Sequence, residues 1–188
     1  NVINFEDLMI FAMNFGHVTP SATSGGPAAL ASAVPLREQV SFELVLISRE
    51  NGVATYSVRM NNASAILKGF SLKIACGAGN VLESATAARD LAGKAPEHFF
   101  GVVGQENGVQ EICVAALGVN KPFGYSGEVA RLVIRETSEG AAALEAVDLR
   151  DINNGGDLVT LPGDGGEAPY IPLTTVLMQN HPNPFNPT

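Results

Sequence analysis

The sequence predicts an all-β protein: an antiparallel jelly-roll β-sandwich of eight or nine strands, preceded by one α-helix on a linker. Two observations predict this class. Between residues 36 and 161, short segments in which apolar and polar side chains alternate follow one another, separated by turns that contain Gly or Asn. Long helical segments do not alternate with these strands, so the pattern favours an antiparallel sandwich over a parallel α/β sheet.

The first element is a helix in which nearly every side chain is apolar. Asn4 is a favourable N-cap, and Glu6 and Asp7 place carboxylates in the first turn, where they favour the helix dipole. The helix should run to about Phe15, with Gly16 as its stop. Such a short helix must be buried against another surface, either the downstream sandwich or a partner chain. The side chains that we expect to contact that surface are Phe5, Leu8, Met9, Phe11, Ala12 and Phe15.

Two segments of biased composition divide the chain. Residues 19–35 are rich in Pro, Gly, Ser and Ala and lack the large side chains of a core, so we interpret them as a linker. Residues 162–172 are interpreted as a second linker, and the residues after them as extended, because proline interrupts them repeatedly. The predicted divisions are a helical segment at 1–18, a linker at 19–35, a sandwich at 36–161 and a terminal segment at 162–188.

The clearest pair of strands spans residues 40–61 and turns at Asn51-Gly52, two residue types that tolerate the positive φ of a tight hairpin. A single hairpin is only marginally stable in water, so we expect further strands around it. The predicted inward side chains are Val40, Phe42, Leu44 and Leu46 in the first arm and Ala54, Tyr56, Val58 and Met60 in the second.

The remaining strands follow the same alternation. A loop or a helical turn is predicted from Ala88, leading into the strand that starts at His98, and the last two strands are joined by a turn at residues 153–156. We predict these further strands at residues 69–76, 80–87, 98–103, 110–117, 128–135, 144–152 and 157–161, with Phe70, Leu72, Ile74, Cys76, Ala130, Leu132 and Ile134 facing inward.

Composition limits the function classes. Aromatic residues make up 6% of the chain, and Trp is absent, so aliphatic residues and Phe must build the core. The net charge of −8 disfavours nucleic acid and anionic membranes as partners. Cys76 and Cys113 both lie in predicted strands, and we slightly favour two buried free thiols over one disulfide.

No pattern predicts catalysis. The three histidines do not stand at metal-ligand spacing with one another, and no pair of carboxylates is placed across a predicted cleft. Asp151 and Asn153 alternate as oxygen ligands of a calcium ion would, with Asp157 as a further candidate ligand, although a plain hairpin turn is the favoured interpretation of this stretch. Sugar binding by stacked aromatics is the weaker functional idea, since the strand aromatics are predicted to face inward.

Three segments resemble known families. NVINFEDLMIFAMNFG, at the start, is similar to the second half of a dockerin calcium-loop repeat, with Ile3 at the apolar loop position and Asp7 as the closing acid. This resemblance implies a Ca²⁺ ligand at Asp7. Residues 37–161 resemble a cohesin domain in the order of the hairpin, GFSLKIACGAGNVLESA, GEVARLVIR and LEAVDLRDINNGGDLV. HPNPFNPT, at the end, is similar to the opening of a bacterial C-terminal sorting or FlgD-like immunoglobulin domain.

Together the resemblances imply a segment of a larger secreted or cell-surface bacterial protein, in which a cohesin-like sandwich docks a dockerin-like helix on one face. The implied partner is a dockerin-like module or the chain's own N-terminal helix, in the same molecule or in a second copy. The alternatives are a carbohydrate-binding module, with a polysaccharide as partner, and a passive spacer. An enzyme is the least expected of these classes.

Overall fold

The computed structural model describes residues 4–16, 34–104, 109–137 and 141–161. Most of both predicted linkers, the C-terminal HPNPFNPT motif and Ile3 lie outside these ranges. The elements in chain order are α1 Phe5–Asn14, α2 Leu36–Gln39, β1 Val40–Glu50, β2 Val53–Asn62, β3 Leu67–Ala75, β4 Val81–Ala87, α3 Arg89–Lys94, β5 His98–Gly104, β6 Val109–Ala116, β7 Gly127–Arg135, β8 Ala143–Asp151 and β9 Gly156–Thr160.

Nine strands form two sheets in the described part of the chain. The four-stranded sheet has the order β1-β2-β7-β4, the five-stranded sheet has the order β5-β6-β3-β8-β9, and every pairing is antiparallel. The predicted antiparallel jelly-roll sandwich is confirmed. Each predicted strand is present, with ends that differ by at most two residues. Of the short helices, α3 falls where a helical turn was predicted, whereas α2 was not predicted.

The β1–β2 hairpin turns at the predicted dipeptide, where Asn51 has φ of 52° and Gly52 has φ of 74°. All four predicted inward residues of β2 are buried. In β1 the prediction for Leu46 is wrong: Leu46 is 44% exposed and Ile47 is 55% exposed. Leu46 still pairs with the inward residue Tyr56, so it is exposed because β1 is the edge strand of the four-stranded sheet, and the extra residue of the register shift, Ile47, comes after it.

The core lies between the two sheets. Phe70 of β3 is at its centre, with ring centroids 4.8 Å from Phe42 and 5.6 Å from Phe123. Phe123 reaches the core from the connection between β6 and β7, where its amide donates to the Leu67 carbonyl. The other predicted inward residues of β3 and β7 are buried in the same cluster: Leu72, Ile74, Cys76, Ala130, Leu132 and Ile134.

The two cysteines are free, which agrees with the favoured interpretation of buried thiols. Cys76 is buried in the core between the sheets. Cys113 is buried on the other side of the five-stranded sheet, in a separate apolar cluster. A sheet therefore separates the two thiols.

Of the helices in the described ranges, none has both the length and the apolar character to cross a bilayer.

Replacing Gly52 with Ala should lower the free energy of unfolding by about 1 kcal/mol, because a Cβ disfavours the left-handed conformation that this turn requires. Gly93→Ala is the matched control, since Gly93 lies in α3 with no atom within 4 Å of an added Cβ. That control should leave stability unchanged or raise it slightly. Urea denaturation followed by circular dichroism measures both, and equal losses in the two variants would contradict the assignment.

Candidate functional site

The outer face of the five-stranded sheet is the candidate site, because α1 lies on it against β6. The helix begins with a capping box: Asn4 Oδ1 accepts from the Asp7 amide at 3.0 Å, and Asp7 Oδ2 accepts from the Asn4 amide at 3.1 Å. After the last turn, Gly16 has φ of 82°, as a helix stop requires. The predicted cap and stop are confirmed.

One side of α1 makes the contact. Phe5, Met9 and Ala12 are spaced four and three residues apart, so they lie on the same side of the helix, and all three are buried. These three side chains contact residues of the outer sheet face at the end of β6 and just after it. Phe99 of β5 is partly buried at the edge of this contact. The buried sheet residues of this cluster are Cys113, Ala115 and Leu117.

Small residues on the sheet let the helix approach closely. A Cβ added to Gly69 of β3 would stand 2.7 Å from the Val114 carbonyl oxygen and 2.8 Å from Met9 Sδ, closer than real Cβ contacts come. Gly69 therefore leaves the space that the Met9 side chain fills. The absence of a side chain at this position is what allows the helix to lie directly on the strands.

A hydrogen bond anchors the last turn of the helix. The Gly118 amide, just beyond β6, donates to the Ala12 carbonyl at 3.0 Å. Lys68 of β3 holds the same loop from the other side, where its Nζ donates to the carbonyls of Gly118 at 2.5 Å and Lys121 at 3.1 Å. Lys68 is only 1% exposed. Burial and, to a smaller extent, the charge of Lys121 together lower the pKa of Lys68 to about 8.

The six helix residues predicted to bind a partner are divided between two environments. Phe5, Met9 and Ala12 contact the sheet, and Leu8 is partly buried at the margin. Phe11 and Phe15 point away from the contact: they are 53% and 40% exposed, and their ring centroids lie 5.7 Å apart.

The receiving residues on the sheet were not predicted, although the sequence carries a signal for them. Residues 112–117 read ICVAAL, so that apolar side chains occupy both alternating sets of positions. A strand of this kind is buried on both faces. Ile112, Val114 and Ala116 belong to the core, and the intervening residues receive α1.

Cys113 lies beneath the helix, where we expect its thiol to react slowly. Burial raises the pKa of its thiol to about 12, and the nearby charge of Glu111 acts in the same direction. Burial also raises the pKa of the Cys76 thiol in the core. Because the thiolate is the reactive form, both cysteines should react slowly while they remain covered.

The candidate metal ligands have other partners. Asp7 closes the capping box of α1. Asp151 Oδ1 accepts from the amides of Asn153 and Gly155, both at 2.7 Å, which is the contact of a tight turn. Asp157 accepts from the backbone amide of Arg37 at 3.0 Å and pairs with its guanidinium at 3.3 Å. A pocket of about 360 Å³ borders this turn.

Within the described ranges, no group of three or more His, Cys, Asp or Glu side chains is arranged to hold a metal ion. Calcium binding at Asp7 or at the Asp151–Asp157 turn stays a prediction, while the hairpin-turn interpretation accounts for the contacts observed at that turn.

The aromatic residues of the described sandwich do not form an exposed strip. Tyr56, Phe70, Phe123 and Tyr125 are buried, and Phe42, Phe99 and Phe100 are partly buried. Among the described residues, the exposed aromatic rings are those of Phe11 and Phe15 on α1. This arrangement does not favour sugar stacking on the sandwich.

The comparisons with known proteins give similar solved structures and no family. No family model and no curated protein matches the chain. A cohesin module from a family 33 glycoside hydrolase of Clostridium perfringens aligns with a TM-score of 0.48 and 10% identity, over 65% of this chain and 92% of that one.

The sixth cohesin of Acetivibrio cellulolyticus scaffoldin B, solved in complex with a mutant Cel5 dockerin, gives a TM-score of 0.45 and 14% identity, over 61% and 89% of the two chains. The chitin-binding domain of a Pyrococcus furiosus chitinase gives 0.36 and 14%, over 69% and 100%. Similarities of this size assign neither a family nor a function to this chain.

Addition of millimolar calcium should leave the melting temperature unchanged. The ion requires about six to eight oxygen ligands, whereas the candidate carboxylates here already accept from amides or a guanidinium. Differential scanning calorimetry with calcium and with a chelator tests this. A melting temperature that rises with calcium and falls on chelation would contradict the expectation and support the cation site.

Lys68 should make stability depend on pH. Its pKa is about 8 in the folded protein and 10.5 when unperturbed. Between these values the folded state has released a proton that the unfolded state still holds, so the free energy of unfolding rises with pH. From about pH 7.5 to about pH 9.5, the wild type should gain on the order of 1–2 kcal/mol relative to Lys68→Met. Urea denaturation at each pH measures this difference, and parallel pH profiles would contradict it.

Proposed function

We propose that this chain is a non-catalytic, cohesin-like protein-binding module whose five-stranded sheet receives an apolar helix on its outer face. The observation that carries the proposal is the seating of α1, with Phe5, Met9 and Ala12 buried on that face. Docking of an amphipathic helix on an apolar surface is a common mode of protein recognition. Burial of each large apolar side chain contributes about 1.5–3 kcal/mol, so a few such contacts are enough to hold a helix.

The contact has the properties of a docked ligand. The side chains under α1 form a cluster of their own, and the main core between the sheets does not include any residue of the helix. Removing α1 therefore uncovers Cys113, Ala115 and Leu117 without opening the core. The sandwich can keep its fold while this face is vacant, which is what a binding face requires.

Two occupants compete for the face in this proposal. One is α1 of the same chain, which the tether keeps at an effective concentration on the order of millimolar. The other is a dockerin-like helix from a partner protein or from a second copy of the chain. An external helix must displace α1 before it can bind. It therefore needs a higher affinity for the face than it would need if the face were vacant.

The setting that we propose is a secreted or cell-surface multidomain protein of a bacterium. The resemblance of the N-terminal segment to dockerins, of the sandwich to cohesins and of the C-terminal motif to sorting domains supports this setting. The dispersed acidic surface is consistent with it.

Replacement of Met9 by Asp should release α1, because a carboxylate cannot be buried against Gly69 and Ala115 without a large desolvation cost. Ile10→Asp is the matched control, since Ile10 is exposed on the same helix. Alkylation of the full-length protein followed by mass spectrometry should show Cys113 reacting at least about tenfold faster in Met9→Asp, which corresponds to about 1.4 kcal/mol. Cys76 should stay protected in both variants.

Equal protection of Cys113 in the two variants would overturn the proposed docking. Simultaneous exposure of Cys76 and Cys113 in Met9→Asp would show that the helix is part of the fold and not a ligand of it.

A labelled peptide of residues 1–18 should bind the Met9→Asp protein and bind the wild type much more weakly, because α1 already covers the wild-type face. Fluorescence anisotropy measures both affinities, and the same peptide carrying Met9→Asp is the control. Failure of the peptide to bind either protein would argue against a receptor face and leave the passive-spacer alternative.

A further inference from the structure

We propose that Lys68 is a positioning residue for the docked helix: through Gly118, it builds a receptor for the C-terminal turn of α1. This inference rests on the proposed function and adds a specific anchor to it. The receptor comprises the Lys68 ammonium and the loop of residues 118–121, which lie at the end of the face beside the last turn of α1.

The end of α1 needs such a receptor. The last carbonyls of any helix have no partner within the helix. Asn14 Nδ2 donates to the Ile10 carbonyl at 2.8 Å, and the Ala12 carbonyl accepts from Gly118 of the sandwich. The last turn of α1 contains no basic residue that could complement the negative end of its dipole. The sandwich provides the positive charge in its place.

Lys68 provides this charge at an unusual position. Its ammonium is buried, and the groups that accept its hydrogen bonds are two backbone carbonyls rather than a carboxylate. The positive charge is therefore not neutralised by these contacts. The ammonium donates to the carbonyl of Gly118, and the amide of the same residue donates to the helix, so a single residue links the ammonium to the helix end.

The same contacts fix the loop geometry. Gly118 has φ of +94°, a conformation that a side chain would disfavour, and it turns the peptide so that its carbonyl meets Lys68. Its amide meets Ala12. A loop held this way presents its N–H in a fixed direction before any helix arrives, which lowers the entropy cost of binding.

The test compares Lys68→Met with Lys73→Met in the full-length protein. Lys73 is an exposed lysine of the same strand and is the matched control. Loss of the anchor should raise the alkylation rate of Cys113 about tenfold in Lys68→Met, with no change at Cys76, whereas Lys73→Met should behave as wild type. The conservative variant Lys68→Arg, which keeps the charge, should restore at least part of the protection of Cys113.

Three results would overturn the inference. One is a folded Lys68→Met protein in which Cys113 is as protected as in wild type. Another is equal exposure of both cysteines, which would assign Lys68 to the stability of the sandwich alone.

The third comes from the wild type and does not require the variant to fold. Because the Gly118 amide donates to the helix, it should exchange its hydrogen at the same opening free energy as the amides of α1. A Gly118 amide far more protected than those of α1 would show that its hydrogen bond does not depend on docking. If Met9→Asp exposes Cys113 and Lys68→Met does not, this inference fails while the proposed function stands.

Discussion

The structure depends on one property of β6: both of its faces are apolar, so burial of both faces is favourable. Ile112, Val114 and Ala116 meet the opposite sheet, which is the ordinary task of a sandwich strand. Cys113 and Ala115 face the other way, where a sandwich normally meets water. Exposure of that face to water is unfavourable, so a third layer on it is stabilising, and α1 is that layer in the described chain.

Much of the fold could be predicted because its information is local. Alternation of apolar and polar residues located the strands, Asn51-Gly52 located the turn, and Asn4 with Asp7 located the start of the helix. Each of these signals acts over a few residues, so a short stretch of sequence contains both the signal and the element that it specifies. The exposed Leu46 shows the limit of local information: alternation within one strand does not indicate which strand will form the edge of a sheet, and at the edge an inward position can stay uncovered.

The candidate site could be predicted only on the helix side. A nearly all-apolar helix indicates that it must be buried, but the residues that cover it, Gly69, Cys113 and Ala115, lie far along the chain. The apolar run of β6 indicates burial on both faces without indicating which element provides it. Lys68 was missed for a related reason. A lysine in a sequence is expected on the surface, and its burial follows from a loop that folds over it. Side-chain oxygens were ambiguous as well, because Asp and Asn cap helices and brace turns with the same atoms that bind cations.

The amide of Gly118 makes the outer face of the five-stranded sheet selective for the direction of the helix that lies on it. A helix turned end for end would bring its own unpaired N–H groups against that amide and against the Lys68 ammonium, so donors would meet donors. The apolar contact alone discriminates poorly between the two opposite directions of a helix, because such contacts are not directional. A single backbone group at one rim of the sheet thus favours the direction in which α1 lies, and under the proposed function it would impose the same direction on any helix that took the place of α1.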